Sequence, residues 1–208
     1  ALPGFGNSNA MNSCNSIECM AKAILNLLEK KEIKNFNLLG HSMGGMIVQE
    51  MAKIAGDKIL KLICYGTGSR GNIPGRFETI DQSREKLKIH GLKDTAYRIA
   101  KTWFIEKDNA KYFYLCEEAG KQTSIKATDN GLVAMKNWNG VENLKNIKNE
   151  TLIVWGDQDK AYNFNQVETL SKNIFNSDLK IIKGCSHNVH LEKPEEYNMV
   201  VEEFLKKN

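Results

Sequence analysis

Short apolar runs alternate along the chain with segments of helical periodicity. Four of these runs predict buried strands, at residues 36–40, 59–65, 151–155 and 179–182. Apolar residues recur every three or four positions in four other segments and predict helices, at residues 13–31, 44–55, 164–175 and 194–206. Gly56, just after the second predicted helix, stands where a left-handed cap is favoured. Because parallel strands are joined by such helices, the pattern predicts an α/β fold whose parallel sheet is flanked by helices on both faces.

The middle of the chain breaks this alternation. Residues 67–148 contain no convincing strand pattern and hold most of the aromatic residues. Helical periodicity recurs there around 82–90, 94–105 and 108–119. We therefore expect a helical cap at 67–148, inserted into a core that is formed by residues 1–66 and 149–208.

Charge and composition exclude several classes of function. The 208 residues carry 29 Lys and Arg against 25 Asp and Glu, a net charge of +4, and the basic residues are scattered lysines for the most part. Nucleic-acid binding usually needs a basic stripe, and none is present, so we expect no nucleic-acid partner. No run of 18 apolar residues predicts a membrane span, and the first residues do not resemble a signal peptide.

The five cysteines are odd in number and irregular in spacing. They are Cys14, Cys19, Cys64, Cys116 and Cys185. This spacing fits neither a zinc site nor a regular disulfide framework. We therefore expect reduced thiols and a cytoplasmic location.

A G-x-S-x-G pentapeptide at residues 40–44 places Ser42 between a predicted strand and a predicted helix. In this context the pentapeptide predicts a sharp turn that lifts a nucleophilic serine above the sheet. Glycines two residues before and two after the serine would relieve crowding between strand and helix. The backbone N–H of Met43 would lie at the helix N-terminus and face a developing oxyanion. Alone, the pentapeptide is equally compatible with a strand–helix turn that has no chemistry.

A nucleophilic serine needs a histidine base that is oriented by a carboxylate. His187 follows the last predicted strand and is the favoured base, whereas His41, His90 and His190 are expected to be neighbours or surface residues.

The segment after the third predicted strand holds two candidate acids, Asp157 and Asp159. Functional groups gather at the carboxyl ends of parallel strands, so both positions are suitable. The order serine, aspartate, histidine agrees with that of hydrolases that carry this elbow.

Four stretches of the chain resemble the α/β-hydrolase superfamily, in its cap-bearing branch of esterases, lactonases and carbon–carbon bond hydrolases. They are residues 2–8 (LPGFGNS), 40–46 (GHSMGGM), 152–159 (LIVWGDQD) and 184–197 (GCSHNVHLEKPEEY). The family's G-x-x-D pattern assigns the acid to Asp159. The resemblance implies a serine hydrolase that acts on a small ester through an acyl-enzyme, with the triad Ser42, His187 and Asp159 and with no metal or organic cofactor. Alternatives are an enol-lactonase or carbon–carbon hydrolase with the same triad, or a non-catalytic binding module.

The chain departs from the family pattern at its start. Family members begin with several strands and a loop that supplies a second oxyanion N–H, whereas this sequence starts at Ala1-Leu2-Pro3-Gly4-Phe5-Gly6. We therefore expect the N-terminal part of the fold to be missing from this sequence. We also expect the chain to form a homodimer or to need a complementary N-terminal segment.

Overall fold

A single four-stranded sheet forms the centre of the computed structural model, which describes residues 1–207. All strands are parallel, and their order in space is their order in sequence. They are β1 (Phe36–His41), β2 (Ile59–Tyr65), β3 (Glu150–Gly156) and β4 (Ser177–Ile182). The four predicted strands are confirmed, each within two residues of its expected ends.

Helices connect the strands and cover both faces of the sheet. The helices of this layer are α1 (Ile17–Lys30), α2 (Met43–Ala55), α6 (Phe164–Asn173), the short α7 (Val189–Glu192) and α8 (Pro194–Lys206). Helix α1 begins later than its apolar periodicity predicts because Ser16 caps it. The Ser16 backbone is extended, and its hydroxyl accepts a hydrogen bond from the Cys19 N–H at 3.1 Å.

The expectation of a left-handed cap at Gly56 is wrong. Its φ of −59° is right-handed, and the chain continues directly into a 3₁₀ turn, Gly56–Lys58. The Asn149 side-chain amide donates to the Gly56 carbonyl at 2.8 Å and satisfies one of the terminal carbonyls instead.

Side chains of β2 and β3 alternate between two apolar layers, as the pleat of a strand requires. Leu62, Cys64 and Ile153 face α1, α2 and α6, whereas Ile63 and Val154 face α8. Both layers are almost fully buried, which explains why these strands are continuous apolar runs in the sequence.

Strand β1 lies at an edge of the sheet and is less well covered. Among residues 1–207 it pairs with β2 alone. Phe36 and Leu38 pack against the α1–α2 side, but Leu39, on the opposite face, is 47% exposed. The prediction that this strand is buried is therefore only partly correct: Phe36 and Leu38 are half-buried, and Leu39 packs in neither apolar layer of residues 1–207.

Residues 67–148 contain three α-helices in place of strands. They are α3 (Ile80–Ala100), α4 (Phe113–Lys121) and α5 (Ile125–Asn137). Two predicted helices, at 82–90 and 94–105, are one helix with a kink at Gly91, whose φ of 74° requires a glycine. Helix α3 packs against both α4 and α5. The cap boundaries at 67 and 148 remain a prediction.

The cysteines differ from the expectation of five reduced thiols. Cys14 and Cys19 form a disulfide, whereas Cys64, Cys116 and Cys185 are free. Cys14 lies before α1 and Cys19 in its first turn, and the bend between them brings their Cα atoms to 5.7 Å. Cysteine spacing therefore gives no support to the predicted cytoplasmic location. No helix of residues 1–207 is both long and apolar enough to span a bilayer.

Candidate active site

Ser42 lies on a strained turn between β1 and α2. Its φ of 56° and ψ of −119° are unusual for a residue with a side chain. Two contacts hold the turn, one to the last residue of β2 and one to the segment that follows it. The Ser42 N–H donates to the Tyr65 carbonyl at 3.0 Å, and the Thr67 hydroxyl donates to the Ser42 carbonyl at 2.7 Å. The serine is thus presented at the carboxyl end of the sheet, as the pentapeptide predicts.

Glycines make this turn possible, but only one of the two glycines that the sequence indicated lies at a crowded position. A Cβ atom on Gly40 would collide with the backbone of Gly44, and a Cβ atom on Gly45 would collide with Thr67. A Cβ atom on Gly44 would meet open space. The prediction that glycines before and after the serine relieve crowding therefore holds for Gly40. On the helix side the crowded position is Gly45, not Gly44.

His187 and Asp159 form a buried pair. The His187 Nδ1 atom lies 2.8 Å from Asp159 Oδ2, and both side chains are at most 1% exposed. The other carboxylate oxygen, Oδ1, accepts hydrogen bonds from the backbone N–H groups of Ala161 at 2.7 Å and Tyr162 at 3.1 Å. These bonds fix the carboxylate, which in turn orients the imidazole. A histidine held in this way can accept a proton at Nε2.

Asp157 faces away from this pair. Its Oδ1 atom accepts a hydrogen bond from the Gly184 N–H at 2.7 Å, which ties the turn after β3 to the turn after β4. Asp157 and Asp159, which are two residues apart in the sequence, therefore have different surroundings.

Two further histidines lie near His187, His41 at the end of β1 and His190 in α7. The His41 Nε2 atom lies 3.1 Å from the His187 carbonyl and must carry a proton, since a carbonyl only accepts. The Tyr65 hydroxyl donates its one proton to the His187 carbonyl at 3.0 Å, so it accepts the hydrogen bond from His190 Nδ1, which lies 3.0 Å away. Burial lowers the pKa of His41 well below its usual value, and it also lowers that of His190. Both side chains are therefore neutral near pH 7. His41 bonds directly to the His187 backbone, whereas His190 acts on it through Tyr65. His90 is exposed on α3.

A cavity of about 600 Å³ lies between this end of the sheet and helices α3–α5. Ser42, Met43 and His187 line it together with many apolar side chains, among them Ile99 and Leu132. The predicted nucleophile, base and oxyanion donor thus share one cavity. Asp159 does not line the cavity and contacts the His187 side chain.

Sequence reasoning missed two polar residues of this cavity, Tyr162 and Arg76. Tyr162 is 1% exposed, and its ring stacks on His187 with centroids 5.8 Å apart. Burial raises the pKa of its hydroxyl to about 12, a shift that the nearby Ser42 side chain opposes. Tyr162 follows Asp159 by three residues, and this proximity in the sequence could have indicated that it lies in the site. Nothing in the sequence pattern singled out Arg76.

A larger groove of about 1110 Å³ lies near the amino end of β1 and is lined by residues of α1 and of the α2 end. Its lining residues include no serine, histidine or cysteine, so they offer no second serine–histidine or cysteine–histidine pair. No group of three potential metal-ligating side chains occurs in the described part of the chain.

Comparisons with known proteins agree with this geometry. Residues 2–194 match the family model of the alpha/beta hydrolase fold. A curated relative, 2-hydroxy-6-oxononadienedioate/2-hydroxy-6-oxononatrienedioate hydrolase 1 from Pseudomonas putida, is 25% identical over 98% of this chain and 74% of its own length. Monoacylglycerol lipase ABHD6 from Rattus norvegicus is 36% identical over 31% of this chain and 19% of its own.

Two solved structures have the same fold. An esterase from Exiguobacterium antarcticum has a TM-score of 0.88 at 21% identity and covers 99% of this chain and 80% of its own. The enol-lactonase from Burkholderia xenovorans has a TM-score of 0.89 at 21% identity and covers 99% and 79%. A strained serine elbow, a buried histidine–aspartate pair and a family match over nearly the whole chain lead to one conclusion: this protein belongs to the alpha/beta hydrolase family.

Proposed function

We propose that this hydrolase cleaves small ester-type substrates through an acyl-enzyme, with Ser42 as nucleophile, His187 as general base and acid, and Asp159 as the orienting carboxylate. The observation that carries the proposal is the 2.8 Å contact between His187 and Asp159, buried beside a cavity that Ser42 also lines. A serine hydroxyl attacks a carbonyl only when a base accepts its proton, and this pair supplies the base.

The reaction would run in two halves. Ser42 Oγ bonds to the ester carbonyl carbon while its proton passes to His187, which then protonates the departing alcohol. Water repeats these steps on the acyl-enzyme and releases the acid. Asp159 stabilises the cationic imidazole during both transfers. The backbone N–H of Met43, at the start of α2, would donate to the developing oxyanion.

Replacement of Ser42 by alanine tests the proposal. Hydrolysis of a short-chain p-nitrophenyl ester should fall by up to about a million-fold, because triad members act as a unit. The fold should be unaffected, and circular dichroism and thermal melting check this. Activity of the variant within tenfold of the parent would refute the assignment. Equal, enzyme-independent hydrolysis with both proteins would favour a non-catalytic binding module.

A lactone or a vinylogous diketone is the second candidate substrate class. Two similarities that extend over nearly the whole chain favour this class. One is to a protein named as an enol-lactonase, and the other is to a protein named as a hydrolase of 2-hydroxy-6-oxononadienedioate. The same triad can serve these substrates. A panel of esters, lactones and diketones, compared by kcat/KM with the Ser42→Ala variant as blank, separates the classes.

A further inference from the structure

Arg76 brings the only permanent charge into the lining of the catalytic cavity. Of the described residues that line it, none is an aspartate, a glutamate or a lysine, and most are apolar. The other titratable lining groups are histidines, cysteine and tyrosine, among them His41 and His190, whose pKa values burial lowers. A guanidinium, in contrast, stays protonated throughout the working pH range.

The guanidinium of Arg76 has no acidic partner among residues 1–207. Its one side-chain hydrogen bond in the described chain runs from an Nη atom to the Glu78 backbone carbonyl, at 2.9 Å. The Glu78 carboxylate is already occupied, because it accepts from Ser83 at 2.5 Å, from Lys86 at 2.9 Å and from Arg98 at 2.6 Å. Most of the N–H groups of Arg76 are thus free to bind another anion.

The loop that carries Arg76 is held in place on the carboxyl side of the sheet. It follows β2, and Gly75, with a φ of 78°, turns the chain just before Arg76. The Asn163 side-chain amide donates to the Pro74 carbonyl at 3.0 Å and joins this loop to the segment that follows Asp159. The guanidinium is close enough to Tyr162 to affect the pKa of its hydroxyl, and Tyr162 in turn adjoins Ser42.

A half-buried cation without an anionic partner costs free energy in the free protein. Burial lowers the pKa of Arg76, which is the direct expression of that cost. A carboxylate in the cavity would offset it through two parallel N–H···O bonds, the geometry that a guanidinium favours. Helices α3, α4 and α5 contribute apolar side chains to the same lining, among them Leu92, Leu115 and Met135, and such a lining suits a methylene chain.

From this arrangement we propose that the cavity selects esters that bear a carboxylate at the far end of a short apolar chain, and that Arg76 binds this carboxylate. The inference rests on the proposed function and specifies its substrate class. Arg76 acts in substrate binding and takes no part in the proton transfers.

A matched pair of substrates tests the inference on the full chain. The anionic substrate is the mono-p-nitrophenyl ester of adipic acid, and the neutral one is the same molecule with its carboxylate methylated. Acylation is followed by p-nitrophenol release in single-turnover reactions. We expect the parent to acylate faster with the anionic ester, by about tenfold or more in kcat/KM, as charge-assisted hydrogen bonds allow.

Variants assign that preference to Arg76. Arg76→Gln should remove it by slowing only the anionic ester, by about ten- to a hundredfold, while the neutral ester changes little. Arg76→Lys should retain part of the preference. Arg70→Gln is the matched control, because Arg70 is exposed and does not line the cavity. It should leave both esters as in the parent.

The possible failures are distinguishable. A parent that hydrolyses both esters equally, in a Ser42-dependent manner, would overturn the inference and leave the proposed function intact. The same holds if Arg76→Gln slows both esters alike. Hydrolysis that is indifferent to Ser42→Ala would refute the proposed function itself. If Arg76→Gln does not fold, the comparison of the two esters on the parent still decides, together with competitive inhibition by adipate and by its neutral dimethyl ester. Stronger inhibition by the neutral compound overturns the inference.

Discussion

Asp157 and Asp159 show how two identical side chains, two residues apart, differ in what they contact. Asp159 is buried against His187, whereas Asp157 is partly exposed and holds the Gly184 N–H. An asparagine at 157 keeps an oxygen that can accept that bond. An asparagine at 159 cannot stabilise the cationic imidazole and favours the wrong tautomer.

We therefore predict that Asp159→Asn lowers kcat by about ten-thousand-fold, while Asp157→Asn has little effect. Single-turnover hydrolysis of an activated ester measures both, and thermal melts verify that each variant is folded. The reverse ranking would mean that the acid is misassigned, although Ser42 and His187 could keep their roles.

At the scale of elements, the entry into α2 depends on close contact between the elbow and the segment after β2. Thr67 occupies the space where a Cβ atom on Gly45 would lie, and its hydroxyl holds the Ser42 carbonyl. Gly44, one residue earlier on the same helix, faces open space in the cavity. The two glycines therefore form a matched pair for mutation.

Gly45→Ala should destabilise the protein by about 1–3 kcal/mol through overpacking. Gly44→Ala should leave stability unchanged or raise it by up to about 1 kcal/mol, because alanine favours helix. Urea denaturation measures both free energies of unfolding. Equal stability of the two variants would show that Thr67 moves aside at no cost and that the elbow is not tightly packed.

At the scale of the whole molecule, the sheet of residues 1–207 has two edge strands, β1 and β4, and the edge of β1 adjoins the serine turn. Within residues 1–207 the backbone of β1 pairs on one side alone, and Leu39 is 47% exposed on its uncovered face. An apolar strand with unpaired N–H and C=O groups readily pairs with another strand. This supports the prediction that the chain associates with a second copy or with a complementary segment.

Sedimentation at several concentrations should show the 208-residue chain to self-associate, and Leu39→Lys should shift it towards monomer. Leu60→Lys is the control, because Leu60 is equally apolar and 58% exposed but lies on β2, which has a strand on each side. A chain that stays monomeric at high concentration would contradict the prediction.

Local pattern in the sequence was sufficient for the strands, for α8 and for the strained turn at Ser42. Each depends on neighbouring residues: apolar runs, a proline in the first helical turn, a glycine two residues before the serine. The sequence also predicted the partners His187 and Asp159, because groups that follow parallel strands meet at one edge of the sheet. Their contact is present, and their catalytic roles stay predictions.

The three-dimensional arrangement of the chain decided the rest. The chemistry of Arg76 depends on residues far along the chain: its potential partner Glu78 is occupied by Arg98, and its loop is held by Asn163. The disulfide between Cys14 and Cys19 could form only because the chain bends as it enters α1. The exposure of Leu39 depends on which elements cover each face of the sheet. The sequence shows which charged residues the protein has. Which of them pair depends on the fold, because electrostatic and steric contacts depend on distance in space.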